Sequence, residues 1–292
     1  MIKLERSATM KRKKVFLFFL ALAIAAFSGW VAWDNGRIVV TNYAVASKDL
    51  PKKFDGYKIA QVSDLHNDEF GENNCELIQL LQEIQPDMIA ITGDLLDSRR
   101  TNVEKADCFV RQAVEIAPCY YVTGNHESRR KEYLVLEEKM KEAGVIVLRD
   151  ETTTIVRDGA EITVAGMEDP CFYVKDDKFK TIPKSVHRRV NKLMMNEEGF
   201  VLLLSHRPEL FDVYCQYGVH VALTGHVHGG QFRVPFLGGV IAPNQGFFGT
   251  YDAGLYERGD TKMVLSRGLG QSIFPFRVNN PPELVVVELK TD

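Results

Sequence analysis

Cysteine is sparse and scattered in this sequence, and tryptophan occurs twice. The five cysteines, Cys75, Cys108, Cys119, Cys171 and Cys215, form no C-x-x-C pair. That spacing excludes a disulfide framework and a cysteine zinc site, and an odd number leaves at least one thiol unpaired within the chain. Charge of one sign is also lacking: the net value is −3 over 292 residues. No global attraction to nucleic acid follows from such a balance, and no basic stripe is evident. Internal repeats and low-complexity tracts are absent, so repeat arrays are excluded. What is present is ordinary for a globular protein, 45% apolar and 26% charged residues, in a length that suits one large domain or two small ones.

One long stretch lacks charge entirely. VFLFFLALAIAAFSGWVAW, residues 15–33, follows Lys11-Arg12-Lys13-Lys14. At ~1.5 Å rise per residue, a helix of that length just spans a ~30 Å hydrocarbon core. Lys3, Arg6, Lys11, Arg12, Lys13 and Lys14 precede it. The excess of positive charge on that flank places the N-terminus in the cytoplasm and everything after residue 33 outside. Trp30 and Trp33 fit an interfacial aromatic belt. The expected division is a cytoplasmic basic segment (1–14), a transmembrane anchor (15–33), a linker with a first strand (34–56) and a domain over 57–292. The competing reading is a signal peptide cleaved near Ala26-Phe27-Ser28, which would release a secreted protein. The run exceeds the roughly 7–15 apolar residues of a signal peptide, which favours the anchor. No tandem arginine pair precedes it, so export of a folded protein is not supported.

Beyond the apolar run a pattern recurs. A short apolar stretch ends and polar residues follow at once. YKIAQV precedes Ser63-Asp64-Leu65-His66, DMIAI precedes Thr92-Gly93-Asp94, and CYYV precedes Thr123-Gly124-Asn125-His126-Glu127. EITVA precedes Gly166-Met167-Glu168-Asp169, FVLLL precedes Ser205-His206, and VHVAL precedes Thr224-Gly225-His226-Val227-His228. Each stretch has the length and β-branched content of a buried strand. Between them, 75–84, 103–116 and 131–143 read as amphipathic helices, with Gly144 as a C-cap. Ile38 to Tyr43 reads as a first strand. Alternation of strand and helix predicts an α/β domain with both sheet faces covered. Two tail strands, KMVLS at 262–266 and ELVVVELK at 283–290, have no helix between them and suggest a second, more antiparallel sheet.

In open α/β sheets ligands bind outside the carboxyl ends of strands. Asp64, His66, Asp94, Asn125, His126, His206, His226 and His228 are therefore expected on one rim. Carboxylates, imidazoles and one amide oxygen suit Mn, Fe or Zn, with manganese favoured, rather than Ca or a thiolate-loving metal. They are too many for one ion, and two ions ~3.5–4 Å apart sharing a carboxylate would use them all. Two divalent cations against two aspartates leave the pocket positive, and a bridging hydroxide would supply a nucleophile. An anionic phosphate ester is the matching substrate. Side chains two apart on an extended segment share a face, so His226 and His228 would both point at the metals.

Asp-x-His, Gly-Asp, Gly-Asn-His-Glu, a lone His after an apolar strand, and Gly-His-x-His, in that order, resemble the calcineurin-like metallophosphoesterase family from about Tyr57 onward. Ser266-Arg267-Gly268-Leu269-Gly270 and Pro281-Pro282-Glu283-Leu284 resemble its membrane-anchored bacterial branch, which acts on small phosphoesters or lipid-linked pyrophosphates. The resemblance implies a four-layer α/β/β/α sandwich. It implies that Asp64, His66 and His228 bind one metal, that Asp94 bridges, and that Asn125, His206 and His226 bind the second. His126 would stabilise the transition state and can protonate the leaving oxygen. The implied function is a two-metal phosphodiesterase or pyrophosphatase with a small or lipid-linked substrate. A phosphomonoesterase and a catalytically silent scaffold of the same fold are the alternatives.

Some residues stay open between two roles. Arg267 could contact substrate phosphate or form a structural ion pair. Glu127 could orient its neighbours or cap the following helix. Asp169 could support the site or simply begin a loop, the latter being favoured. His187 and His220 read as structural or solvated. Gln231 to Phe236 and Phe247-Phe248 could line a groove or touch a bilayer, but packing in a core or loop staple is the favoured reading.

Overall fold

The structure is a computed structural model that describes residues 2–175, 181–271 and 274–292, with backbone alone for 2–11. A single helix, α1 (Ile2–Gly36), opens the chain. Its segment Arg12–Gly36 is long and apolar enough to cross a membrane; its most apolar stretch is not buried in the protein, whereas Asp34 near its end is.

Two six-stranded sheets follow. The first has the order β1 (Val39–Ser47), β16 (Glu283–Thr291), β2 (Lys58–Val62), β3 (Met88–Thr92), β4 (Cys119–Val122), β5 (Ile146–Val147). The second runs β14 (Gly254–Arg258), β15 (Thr261–Leu265), β9 (Val221–Thr224), β8 (Val201–Leu204), β7 (Ala160–Gly166), β6 (Glu151–Arg157). Strands β2, β3 and β4 are mutually parallel, as are β7, β8, β9 and β15. Two short hairpins lie between β9 and β14: β10 (Arg233–Val234) with β11 (Gly238–Gly239), and β12 (Ile241–Ala242) with β13 (Gly246–Phe247).

The sheets face each other. Ile59, Ala90, Tyr120 and Val285 of the first pack with Val164, Leu202, Leu223 and Val264 of the second in one buried cluster. On the outer face of the first sheet, α2 (Cys75–Ile84), α3 (Val103–Ala113) and α4 (Tyr133–Ala143) bring Leu81, Phe109 and Leu136 against Val62, Ile89 and Tyr121. On the outer face of the second, α5 (Lys184–Met194) and α6 (Phe211–Gln216) bring Val190 and Tyr214 against Val201 and Leu203. The result is an α/β/β/α sandwich. Strands buried on both faces read as continuous apolar runs, which is why KIAQV, MIAIT and VLLL carry so little alternation. Each fully buried aliphatic side chain contributes about 1.5–3 kcal/mol.

The second sheet expected from the tail is present, and β15 pairs antiparallel with β14 as β16 does with β2, but the two tail strands lie in different sheets. β15 joins the second sheet, parallel to β9, and β16 enters the first, between β1 and β2. The reason lies in β16 itself. Leu284 faces the helix layer while Val285, Val287 and Leu289 face the central core, so the strand is apolar on both sides and belongs inside a covered sheet. α5 lies in a stretch that reads as basic, yet Val186, Val190 and Leu193 make a buried stripe along it. α3 starts at Asn102, whose side chain accepts from Lys105 N, and α4 ends at Gly144 with φ 96°.

Candidate metal centre

Every expected site segment begins where a parallel strand stops. The register pairs Val62 with Ile91, Thr92 with Val122, and Leu204 with Leu223, so the strand ends are level within each sheet. Gln61 Nε2 donates to Thr224 O at 2.8 Å and ties the two sheets together just below the rim.

Immediately above the rim the backbone takes an uncommon path. Asp64, His66, Asp94, His226 and His228 all have positive φ, between 49° and 77°. Non-glycine residues seldom adopt that region, though Asp and His do so more readily than most. Each such residue strains the chain by about 1–2 kcal/mol. The turn it makes sends consecutive polar side chains back over the strand end. The extended geometry expected for Gly225 to His228 is not found: Val227 is in the right-handed region between two left-handed histidines. His226 and His228 therefore converge through a tight turn, because β9 has already ended at Thr224. Glycine is required at Gly225, where a Cβ would overlap Ser63 Oγ and Asp64 Oδ2, and at Gly124, where it would overlap Asp94.

The fold brings the eight rim residues together. Asp64, His66 and His228 form one group able to hold a cation, Asp94, His206 and His226 a second, and His66, Asp94 and His126 a third between them. All are buried. His228 Nε2 lies 3.3 Å from Asp64 Oδ1, and His206 Nε2 lies 3.2 Å from Asp94 Oδ2. Donor atoms about 3 Å apart are spaced as ligands ~2.1 Å from one ion would be.

The donor set fits cations on local grounds. Asn125 Oδ1 is buried and has no hydrogen-bond partner among the described residues. An orphaned amide oxygen in a pocket of carboxylates and imidazoles is an acceptor waiting for a positive charge. His206 Nδ1 lies 2.8 Å from Thr92 O, so Nδ1 carries the proton and Nε2 offers its lone pair. His226 Nε2 lies 3.1 Å from Arg207 Nη1 and 3.1 Å from Asn244 Nδ2, both donors, which leaves Nδ1 facing the site. Burial acts to lower the His206 imidazole, but Asp94 and Asp64 outweigh it and push it up to about 10. Two buried carboxylates thus draw positive charge to this spot. Burial takes His66 the other way, down to about 3.

His126 is held differently. Its Nδ1 accepts from Ser98 N at 3.0 Å, so a neutral ring carries its proton on Nε2. That nitrogen points at the cluster, 4.0 Å from Asp94 Oδ2.

Several further residues support the cluster. Glu127 accepts from Gly124 N at 2.8 Å, Asp94 N at 3.0 Å and Leu96 N at 2.9 Å, so its carboxylate pins two of the strand-end loops together. Burial and Asp94 push it up to about 8 against those hydrogen bonds, and a cation on Asp94 would relieve the repulsion. Arg207 is fully buried and makes a two-pronged pair with Asp169, at 2.5 and 2.9 Å. Asp169 thus holds the arginine that orients His226, and it also caps a short turn through Cys171 N. Arg277, also fully buried, reaches His228 Nδ1 at 3.2 Å and donates to Gly270 O and Arg267 O. No motif marks Arg207 or Arg277, and nothing in residues 205–209 or 275–280 signals a buried guanidinium. Arg267 lies outside the cluster, with its guanidinium paired to Glu283 at 2.9 Å.

The aromatic stretch after the second histidine departs from the favoured reading. Phe232 packs against Phe274 and Phe276, but Phe236, Phe247 and Phe248 are exposed. The hairpins that carry them are two-residue ladders, and among the described residues no further layer covers them.

Comparison with known proteins agrees with this geometry. Residues 57–230 match the calcineurin-like phosphoesterase family. The uncharacterized metallophosphoesterase YkuE of Bacillus subtilis (strain 168) is 31% identical over 286 residues, 94% of this chain and 95% of that protein. The phosphodiesterase YaeI of Escherichia coli (strain K12) is 29% identical over 239 residues, covering 80% of this chain and 82% of YaeI. Among solved structures, TT1561 of Thermus thermophilus shares the fold, with a TM-score of 0.51 and 16% identity over 73% of this chain and 90% of that one. The family match runs from the strand before Asp64 to the turn that carries His228 and so spans the whole cluster, which makes this chain a member of the calcineurin-like phosphoesterases and a hydrolase of phosphate esters.

Proposed function

We propose that the protein is a membrane-tethered, two-metal phosphoesterase of the phosphodiesterase or pyrophosphatase type. The observation that carries this reading is that two cation-ready groups adjoin through Asp94, which belongs to the group with His206 and His226 and lies 3.6 Å from His66 of the group with Asp64 and His228, while the buried Asn125 Oδ1 has no partner among the described residues. Asp64, His66 and His228 would hold one ion, Asn125, His206 and His226 the other, and Asp94 both. When bound, two divalent cations supply Lewis-acid polarisation of the phosphoryl oxygens and lower the pKa of water to that of a usable nucleophile. The chain's own residues do the rest. His126 holds a proton at Nε2, where it can pass to the leaving oxygen. Thr92 O and Arg207 fix the tautomers and angles of His206 and His226. Glu127 keeps the loops of Asp94 and Asn125 from spreading.

Diester preference has support in the name of a relative, the phosphodiesterase YaeI. The tether has support in the apolar segment Arg12–Gly36. With the catalytic domain outside the cytoplasm, a lipid-linked phosphoester would be a reachable substrate. Manganese is the favoured metal, and a net charge of −3 speaks against nucleic acid as substrate.

The test is direct. The full chain, in detergent with manganese, is assayed on a chromogenic phosphodiester and on the matching monoester, with Asp94→Ala as the blank. Preferential cleavage of the diester supports the reading. Preferential cleavage of the monoester replaces it with a phosphatase. Bound metal without turnover of either substrate points to a more selective pocket, and failure to bind metal at all sinks it in favour of a silent scaffold.

A further inference from the structure

Outside α1, every strongly exposed phenylalanine among the described residues lies in two short segments. These are Phe236, Phe247 and Phe248 in the hairpins, and Phe274 and Phe276 in the loop before β16. Leu237 is exposed beside them. Phe236 is bare to solvent at 107% of its reference area, and Phe247 at 74%. An apolar patch of that kind marks a surface that something else covers.

The two segments are one surface. Phe232 packs against Phe274 at 5.2 Å and Phe276 at 5.8 Å between ring centroids. Gln231 Nε2 donates to Phe276 O at 2.7 Å. Backbone hydrogen bonds from Val240 N to Phe232 O and from Phe248 N to Val240 O extend the link to the second hairpin.

That surface is continuous with the end of the apolar helix. Asn35, next to the last residue of α1, accepts from Arg277 N at 2.7 Å and donates to Arg277 O at 2.8 Å. It also accepts from Gln271 Nε2 at 3.1 Å. Phe276 is therefore one residue from the point where the helix meets the domain, and Trp33 is exposed at that same helix end. The cation cluster borders the same region. Arg277 touches His228, and Asn244, in the turn of the second hairpin, touches His226.

We infer that the Phe236, Phe247–Phe248 and Phe274–Phe276 loops form a second membrane contact that lies on the acyl-chain boundary and turns the cation cluster toward the lipid surface. This rests on the tether proposed above and adds a surface to it. Aromatic side chains favour the interface, where an apolar ring can enter and the backbone stays hydrated. The occupant is the bilayer, because the patch grows out of the helix end that would leave it. The patch also lies after residue 230, beyond the family match, so the shared phosphoesterase frame does not require it.

The experiment uses the full chain in phosphatidylcholine–phosphatidylglycerol vesicles whose acyl chains carry bromine, a contact quencher of tryptophan. Trp30 and Trp33 are the only tryptophans, so the wild type reports the helix alone. In a Trp30→Phe/Trp33→Phe background, Phe236→Trp and Phe247→Trp report the patch. Leu134→Trp, exposed on α4, reports a face that should stay in water. The expected result is loss of fluorescence in the wild type and in both patch variants, with Leu134→Trp unchanged. Quenching of the wild type without the patch variants overturns the second contact and leaves the tether standing. No quenching in the wild type overturns the tether; the patch then stands only if its own tryptophans are quenched. Equal quenching of Leu134→Trp means indiscriminate adsorption and overturns the inference.

Discussion

His66 Nε2 and His228 Nε2 lie 3.1 Å apart, from loops that leave opposite sheets of the sandwich, with a separation of 162 positions in the chain. Two imidazole nitrogens so close are held either by a shared proton or by a cation between them. The central core that joins the sheets brings them to that distance.

The first prediction concerns that pair. Metal at about 100 times its Kd stabilises the folded state by about 2.7 kcal/mol, so chelation should lower the melting temperature by roughly 5–10 °C. His228→Ala should bind less metal by elemental analysis and show a smaller drop on chelation. An unchanged melting temperature in chelator would refute the centre as a metal site.

His126 separates binding from chemistry. His126→Ala should keep its metal and lose about 10²–10⁴-fold in kcat, the range of a general acid. Asp94→Ala should lose metal and activity together. Should His126→Ala give up metal as Asp94→Ala does, the third group, with His66 and Asp94, would be the ligand set and the acid role would fall.

Glu127 should matter more to stability than its place in a short turn suggests. Glu127→Gln keeps the size but replaces one acceptor oxygen with a donor facing backbone N–H groups of Gly124, Asp94 or Leu96. A buried donor left unsatisfied costs about 1–3 kcal/mol. The urea midpoint should fall accordingly, with kcat reduced as the loops loosen. A variant as stable as the wild type would show that these hydrogen bonds are dispensable.

His220 gives a pH dependence remote from the centre. Its Nδ1 accepts from Val201 N at 3.1 Å and its ring stacks on Phe200. Burial lowers its pKa against the opposing pull of Asp49. The folded protein then binds a proton less readily than the unfolded chain. Its contribution is present above about pH 6.5, the unfolded value, and is lost as pH falls through that value toward the folded one. His220→Asn can retain the acceptor without the titration. The stability gap between wild type and variant should move against the wild type between about pH 8 and pH 5, as read by urea midpoints; a constant gap would contradict the assignment.

The sequence made much of this legible for a physical reason. A strand buried on both faces must be a short continuous apolar run, and a strand end facing a ligand must turn polar at once. VLLL before Ser205-His206 shows both features without any knowledge of neighbours, and KIAQV before Ser63-Asp64 shows them apart from its Lys58 and Gln61. β6 is not legible in this way, because it is an edge strand with Glu151, Thr152, Thr154 and Val156 exposed, so little apolar signal sets it apart from a loop. The pattern of β16 marks it as an interior strand, but which strands flank it could not be read, since neighbours are set by residues far away in the chain.

By itself, then, the sequence determined the types of donor, their order and their position at strand ends, because burial and turn chemistry are local. It also determined one apolar segment able to span a membrane. Only the tertiary structure decided that Asp64 and His228 meet across the sandwich, that Arg207 and Arg277 sit behind the histidines, and that the phenylalanines of the hairpins are left bare beside the helix end. Those relationships are set by how two sheets pack and by left-handed turns above their edges. Both depend on contacts between residues far apart in the chain, which no local pattern of side chains records.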